Sequence, residues 1–216
     1  MNILVIDDNE RHLKAAEQTL GGEHALTTCS SHDEAYNLLS KRGYEKELLR
    51  RAEEHEIDGT NWPGLNKNET DPFWDAVLCD LLMPAGKMAQ GGEGLRHVGK
   101  VMPVGWALAL EAAKSGAKFV AVATDMNHHH HPTSAMLDNL NYHQFQIDGA
   151  KAIFTNCIST VGINGTEREC SGCSGAGSIK RDDEKYKCWR CDGTGTDFAE
   201  YGKDWGKILE ALIDKK

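Results

Sequence analysis

The chain has no apolar run near the roughly 18 residues that a membrane-spanning helix needs. It has no basic excess either. Its 24 Lys and Arg stand against 33 Asp and Glu, a formal net charge of −9, so no cation surplus exists to neutralise phosphates, and a general nucleic-acid binder is disfavoured. The opening MNILVIDDNE lacks the basic n-region and the long apolar stretch of a secretory leader. These absences together predict a cytoplasmic protein with reduced thiols and no membrane partner. Seven cysteines in such a setting point to metal ligation before disulfides. At 216 residues the chain is long for one ordinary domain and short for two.

What is present alternates between strand and helix. ILVID (3–7) is a short continuous apolar run, the pattern of a strand covered on both faces. Asn9 can cap a helix to about Leu20, closed by Gly21-Gly22. HALTTCS (24–30) reads as a second strand and 32–56 as a charged helical stretch. The Gly-, Pro- and Asn-punctuated segment at about 57–74 reads as an inserted loop. AVLCDLLMP (76–84) is a third strand, 85–104 a Gly-rich inserted loop, and WALALEAAKSG (106–116) a helix. KFVAVATD (118–125), PTSAMLDNL (132–140), KAIFTNC (151–157) and KDWGKILEALIDKK (203–216) follow as strand, helix, strand and last amphipathic helix. Five strands with intervening helices predict an α/β fold: a doubly wound, five-stranded parallel sheet. Its chemistry should gather beyond the carboxyl ends of the strands.

At those ends stand Asp7-Asp8, Asp80 and Thr124-Asp125. Carboxylates converging from separate strands repel unless a hard cation sits among them, and Mg²⁺ suits a small oxygen-rich site. VIDDN, VLCDLLMP and VAVATD, taken together, resemble the receiver domain of bacterial response regulators, whose fold is flavodoxin-like. The resemblance implies that residues 1–157 plus 198–216 form the receiver-like part. It makes Asp80 the phosphoacceptor, Asp7 and Asp8 the acidic pair holding Mg²⁺ with Asp80, and Thr124 the hydroxyl that steadies the phosphoryl group. It implies a cognate histidine kinase or downstream protein as partner, and at most a slow autophosphatase activity.

The chain departs from that family at three places. Receivers carry a lysine at the end of strand five; here TNC places Asn156 there, so no cation is expected. Asp125 replaces a usually small residue and adds negative charge. The aromatic switch position falls at Ile153, with Phe154 on the opposite face. The lost cation and the added anion together weaken anion binding and favour cation binding.

Near the end of the chain Cys-x-x-Cys-x-Gly-x-Gly occurs twice, as CSGCSGAG (170–177) and CWRCDGTG (188–195). Cys170, Cys173, Cys188 and Cys191 have the spacing of a tetrahedral structural zinc site, with rubredoxin-like iron the other option. The glycines permit the positive φ that returns the chain. The repeats resemble the cysteine-rich motifs of DnaJ-type chaperones, two of the usual four, which implies one zinc site and no chaperone activity. The predicted zinc hairpin, 158–197, is inserted between strand five and the last helix, where receivers dock protein partners. Its linker SIKRDDEKYK (178–187) reads as a solvated charged segment whose acids offset its bases, so nucleic acid is not expected there. Histidines 128–131 lie in the loop after strand four, where two could ligate a transition metal. Cys29, Cys79 and Cys157 read as small core residues, Cys157 lying near the pocket. Three functions fit. One is a phosphoryl-accepting signalling receiver. Another is a pseudo-receiver that is not phosphorylated and docks a partner through the zinc hairpin. The third is a Mg²⁺-dependent phosphotransfer enzyme, for which no general base is evident.

Overall fold

The computed structural model describes residues 1–40, 74–88, 90–140, 143–156, 159–181 and 184–213. The second half of the predicted helical stretch 32–56, nearly all of the 57–74 insertion, and Cys157 lie outside these residues. In chain order the first elements are β1 (Asn2–Ile6), α1 (Glu10–Leu20), β2 (Ala25–Cys29), α2 (described over 32–40) and β3 (Ala76–Asp80). A two-residue ladder then pairs β4 (Met83–Pro84) with β5 (Val101–Met102), with a 3-10 helix at Gly92–His97 between them. The 85–104 segment is therefore partly regular, not a loop throughout. Next come α3 (Gly105–Lys114), β6 (Phe119–Thr124), α4 (Pro132–Leu137), β7 (Gln144–Ile147) and β8 (Ala150–Asn156). Short strands β9 (Thr160–Gly162), β10 (Glu167–Glu169), β11 (Ser178–Arg181), β12 (Glu184–Lys187), β13 (Thr196–Phe198) and β14 (Tyr201–Lys203) precede α5 (Trp205–Ile213).

The central sheet has six strands in the order β2-β1-β3-β6-β8-β7, and so exceeds the expected five. Its first five strands are parallel, while β7 is antiparallel at the edge. Counted among the parallel strands alone, the order is 2-1-3-4-5, that of a doubly wound sheet whose direction of winding reverses beside β1. The extra strand has a local cause. Asp148 and Gly149 both have positive φ, 46° and 82°, and join β7 to β8 as a two-residue hairpin. This Asp-Gly signal is visible in the sequence.

Period-two alternation assigns the strand residues to two cores. Leu4, Ile6, Val77, Cys79, Val120, Val122 and Phe154 pack with Leu39 of α2, Leu108 and Ala112 of α3, and Leu137 of α4. Ile3, Val5, Leu78, Ala121, Ala123 and Ile153 pack with Ala16 and Leu20 of α1, and with Trp205, Leu209 and Leu212 of α5. Each fully buried Leu or Ile contributes about 1.5–3 kcal/mol of burial free energy. Helices on both faces thus clamp the sheet. Phe154 does face away from Ile153, packing edge-on against Trp106 and Phe145. Cys29 and Cys79 are buried thiols; burial pushes Cys29 up to about 12 and Cys79 further still, so both stay protonated core residues.

Helix α1 begins where the Asn9 carboxamide accepts the Arg11 N–H at 3.2 Å. Helix α5 begins one residue later than Asp204, whose carboxylate accepts the Lys207 N–H at 3.1 Å. Lys203 therefore belongs to β14 and not, as the sequence suggested, to the last helix. Helix α3 starts at Gly105 directly beneath the end of β3, where a Cβ would overlap the carbonyl oxygen of Asp80. Gly105→Ala should lower stability by about 1–3 kcal/mol through this overpacking, read as a fall in the urea midpoint.

Candidate functional site

Strand β1 delivers Asp7 and Asp8, β3 ends in Asp80, and β6 ends in Thr124, so the sheet itself sets four side chains at one edge. One carboxylate oxygen each of Asp7, Asp8 and Asp80 lies within 4.8 Å of the others, a group that could hold a metal ion. Asp7 and Asp80 are buried and Asp8 is exposed. Asp7 accepts the Asn9 N–H at 2.9 Å, and Asp80 the Leu82 N–H at 3.2 Å.

Between the two buried carboxylates lies a side chain the sequence reading did not find. The Lys203 ammonium donates to Asp7 at 2.8 Å and to Asp80 at 2.5 Å, with 0 % of the residue exposed. The expectation of a site without a cation is thus corrected. Burial alone would pull the lysine down, but the charges of Asp7 and Asp80 outweigh it and hold it protonated. Lys203 Nζ also lies 5.3 Å from the centroid of the Trp205 ring, a cation–π contact. Three carboxylates and one ammonium leave a formal charge of minus two, which a divalent cation would balance.

Lys203 reaches the site because the chain leaves β8, makes the cysteine-bearing excursion, and returns. Strand β14 pairs antiparallel with β9, with Lys203 opposite Thr160. Asn156, at the end of β8, instead donates to Asp138 at 2.6 Å. Asp125 does not add uncompensated charge: Arg11 meets it at 2.8 Å and His12 Nε2 at 3.1 Å, and the His12 hydrogen bond holds its carboxyl far below the usual range. His12 is buried, and its Nδ1 accepts the Lys203 N–H at 3.0 Å. The ring hydrogen is therefore on Nε2, donated to Asp125. Thr124 is buried, and its hydroxyl oxygen accepts the Met126 N–H at 3.1 Å, leaving the hydroxyl hydrogen to donate.

The four cysteines of the repeats form the second cluster, their sulfurs within 4.8 Å of one another. Cys170 and Cys188 sulfurs lie 3.9 Å apart, and those of Cys173 and Cys191 3.7 Å. Four thiolates at about 2.3 Å from a tetrahedral zinc stand about 3.8 Å apart, whereas a disulfide brings two sulfurs to about 2.05 Å. The spacing is that of a metal site. Each repeat closes in the same way. Gly177 N–H points at Cys173 sulfur at 3.2 Å and Gly195 N–H at Cys191 sulfur at 3.3 Å, while Cys170 N–H donates to Gly195 C=O and Cys188 N–H to Gly177 C=O, both at 2.9 Å. Gly177 and Gly195 have φ of 69° and 81°. Between the repeats, 178–187 is charged and mostly exposed, as expected, but its described residues are regular: β11 and β12 pair antiparallel.

The histidines of the β6–α4 loop are used locally. His128 meets Asp138 at 2.8 Å and His129 Nε2 at 2.9 Å, and His131 Nδ1 caps α4 by accepting the Thr133 N–H. Among the described residues, no group of three or more metal-ligating side chains includes a histidine. Likewise, no described helix is long and apolar enough to cross a membrane. No protein-family model matches the chain, and no curated protein and no solved structure matches it.

Burial pushes the Asp80 carboxyl up to about 6, against the pull of Lys203 and with a further push from Asp7. The folded chain therefore keeps this proton to higher pH than the unfolded chain, which releases it near pH 4. The resulting stability is fully present below pH 4 and is lost as pH rises to about 6. Wild type relative to Asp80→Asn should lose about 2–3 kcal/mol across that window, measured as paired urea denaturations at pH 4, 5, 6 and 7.

Proposed function

We propose that the chain is a receiver-like signalling protein that accepts a phosphoryl group on Asp80, with Mg²⁺ at Asp7, Asp8 and Asp80 and a structural zinc at the four cysteines. The observation that carries this reading is the buried Lys203 ammonium, 2.8 Å from Asp7 and 2.5 Å from Asp80. A carboxylate presented at a strand end beside a fixed cation and two further carboxylates is suited to nucleophilic attack on phosphorus. An Asp80 oxygen would attack the phosphorus of an acyl phosphate or phosphohistidine. The bond from phosphorus to the donor would break, and acetate or imidazole would leave with its electron pair. Lys203 would then exchange its bond to Asp80 for one to a phosphoryl oxygen, and Thr124 would donate its hydroxyl hydrogen to another. A magnesium ion there would offset charge on the phosphoryl oxygens. The partner would be a kinase or a downstream protein in the cytoplasm.

The second reading is a pseudo-receiver that docks a protein through the zinc hairpin without phosphorylation. Trp189 favours it: this ring is 83 % exposed inside the second Cys-x-x-Cys, near Tyr186 at 47 %.

Intact mass after incubation with acetyl phosphate and Mg²⁺ separates the two. The receiver reading expects a gain of one phosphoryl group, absent in Asp80→Asn and formed about ten- to a hundredfold more slowly in Lys203→Met, the scale of one charge-assisted hydrogen bond. An unchanged mass leaves the pseudo-receiver.

The metal assignment is checked apart from phosphorylation. Elemental analysis should find one zinc per chain, lost in Cys188→Ser; iron in its place would sink the zinc assignment.

A further inference from the structure

Lys203 is far from the sheet in sequence, and its place in the acidic pocket depends on what brings β14 back. Four contacts do so. Its N–H donates to His12 Nδ1. Its strand pairs with β9 over three residues. Gly202 presses so closely on α1 that a Cβ there would stand 2.5 Å from Ala15 Cβ and 2.6 Å from the Arg11 carbonyl oxygen. Tyr201 donates its hydroxyl to Asp197, a carboxylate with 3 % of its residue exposed.

Asp197 is the joint. Its other oxygen accepts from Arg190 Nε at 2.9 Å, and Arg190 lies inside the second Cys-x-x-Cys, between Cys188 and Cys191. The same knuckle grips the strand end: Gly195 donates to Cys191 sulfur and accepts from Cys170 N–H, and the next residue begins β13. Strand β13 pairs with β10 so that Thr196 lies opposite Glu169, the residue before Cys170. Two three-residue ladders are too short to persist unaided. What fixes their far end is closure of the cysteine cluster.

We infer that the metal-closed cysteine cluster positions Lys203 in the acidic pocket, through Arg190, Asp197 and Tyr201, so that metal occupancy at the cysteines sets the charge of the pocket. The inference rests on the receiver reading for its consequence in phosphorylation, but its geometry does not. With the cluster open, β14 loses its anchor, the ammonium leaves, and the pocket passes from a formal minus two to minus three. The cysteine metal is then a positioning element, and Arg190, Asp197 and Tyr201 are positioning residues.

The test follows the Lys203 amide and Mg²⁺ affinity in the full chain, neither of which requires phosphorylation. Stripping the cysteine metal with a chelator, then removing the chelator, should speed exchange of the Gly202 and Lys203 amides at least tenfold. Amides of β1 and β3 should stay protected. Tyr201→Phe, with its zinc still bound, should give a smaller rise at the same two amides. Mg²⁺ affinity should increase alike in metal-stripped wild type and in Lys203→Met, and should not increase further when Lys203→Met is stripped, because both remove the same charge. Unchanged exchange at Lys203 after metal loss overturns the inference. So does additive Mg²⁺ behaviour in the stripped variant. If stripping exposes β1 and β3 as well, Tyr201→Phe decides: faster exchange at Lys203 upholds the link and unchanged exchange overturns it. Failure of acetyl phosphate to label Asp80, with these responses intact, would refute the receiver reading alone.

Discussion

A protonated amine with no exposed surface, held between two buried carboxylates, is the constraint on which this molecule turns. At separations of 2.8 and 2.5 Å, each pair attracts on the order of 5 kcal/mol in a medium of intermediate polarity. Taking each ion out of water costs several kcal/mol. The two nearly cancel, so the triad contributes little net stability and a great deal of geometry. Losing the lysine leaves two buried carboxylates uncompensated. The sheet must therefore present Asp7 and Asp80 side by side, and some other element must return the lysine to a fixed point.

Those two tasks fall to structures built on different principles. The sheet is large enough to be rigid through burial alone, with apolar side chains on both faces of β1, β3 and β6. The excursion from β9 to β14 has little core; Cys170, Cys188 and Cys191 are themselves its buried cluster, with Cys173 and Ile179 against them. Segments this short need a staple, and the repeated Cys-x-x-Cys-x-Gly-x-Gly supplies one. The near two-fold relation of the repeats explains the glycines. A Cβ on Gly177 would strike the Gly193 carbonyl, and one on Gly195 the Gly175 carbonyl, so each repeat reserves backbone space for the other.

Local signals carried most of the sheet and the two clusters that could hold a metal. Continuous apolar runs marked the parallel strands, the carboxylates stood at strand ends, and the four cysteines kept a fixed spacing. Each is readable within a few residues. Lys203 was not, because its role comes from pairing with Thr160 across the whole excursion and from contact with His12 of α1. A lysine beside a helix-capping Asp204 reads as ordinary helix-end polarity. Strand β7 is harder to read for a different reason: its apolar content is slight, and the Asp148-Gly149 pair is its one local hairpin signal. Strands β11 and β12 alternate mainly among charged residues, so nothing in their polarity separates them from a solvated loop.

His12 shows why charges cannot be counted position by position. Asp125 at the edge of the pocket adds an anion on paper, yet it faces Arg11 and the His12 ring. That same ring accepts the Lys203 N–H through its other nitrogen. Asp125 therefore fixes which His12 nitrogen carries the hydrogen, and so which nitrogen is left to accept from β14. An acidic residue that a charge count casts only as an added anion thus helps to hold the strand that carries the cation. Asn156 donates to Asp138, and the ammonium between Asp7 and Asp80 comes from elsewhere in the chain. Asp125 and Asn156 thus each have partners of their own, and the polarity of the pocket is set by residues from α1, β14 and the ends of three central strands acting together.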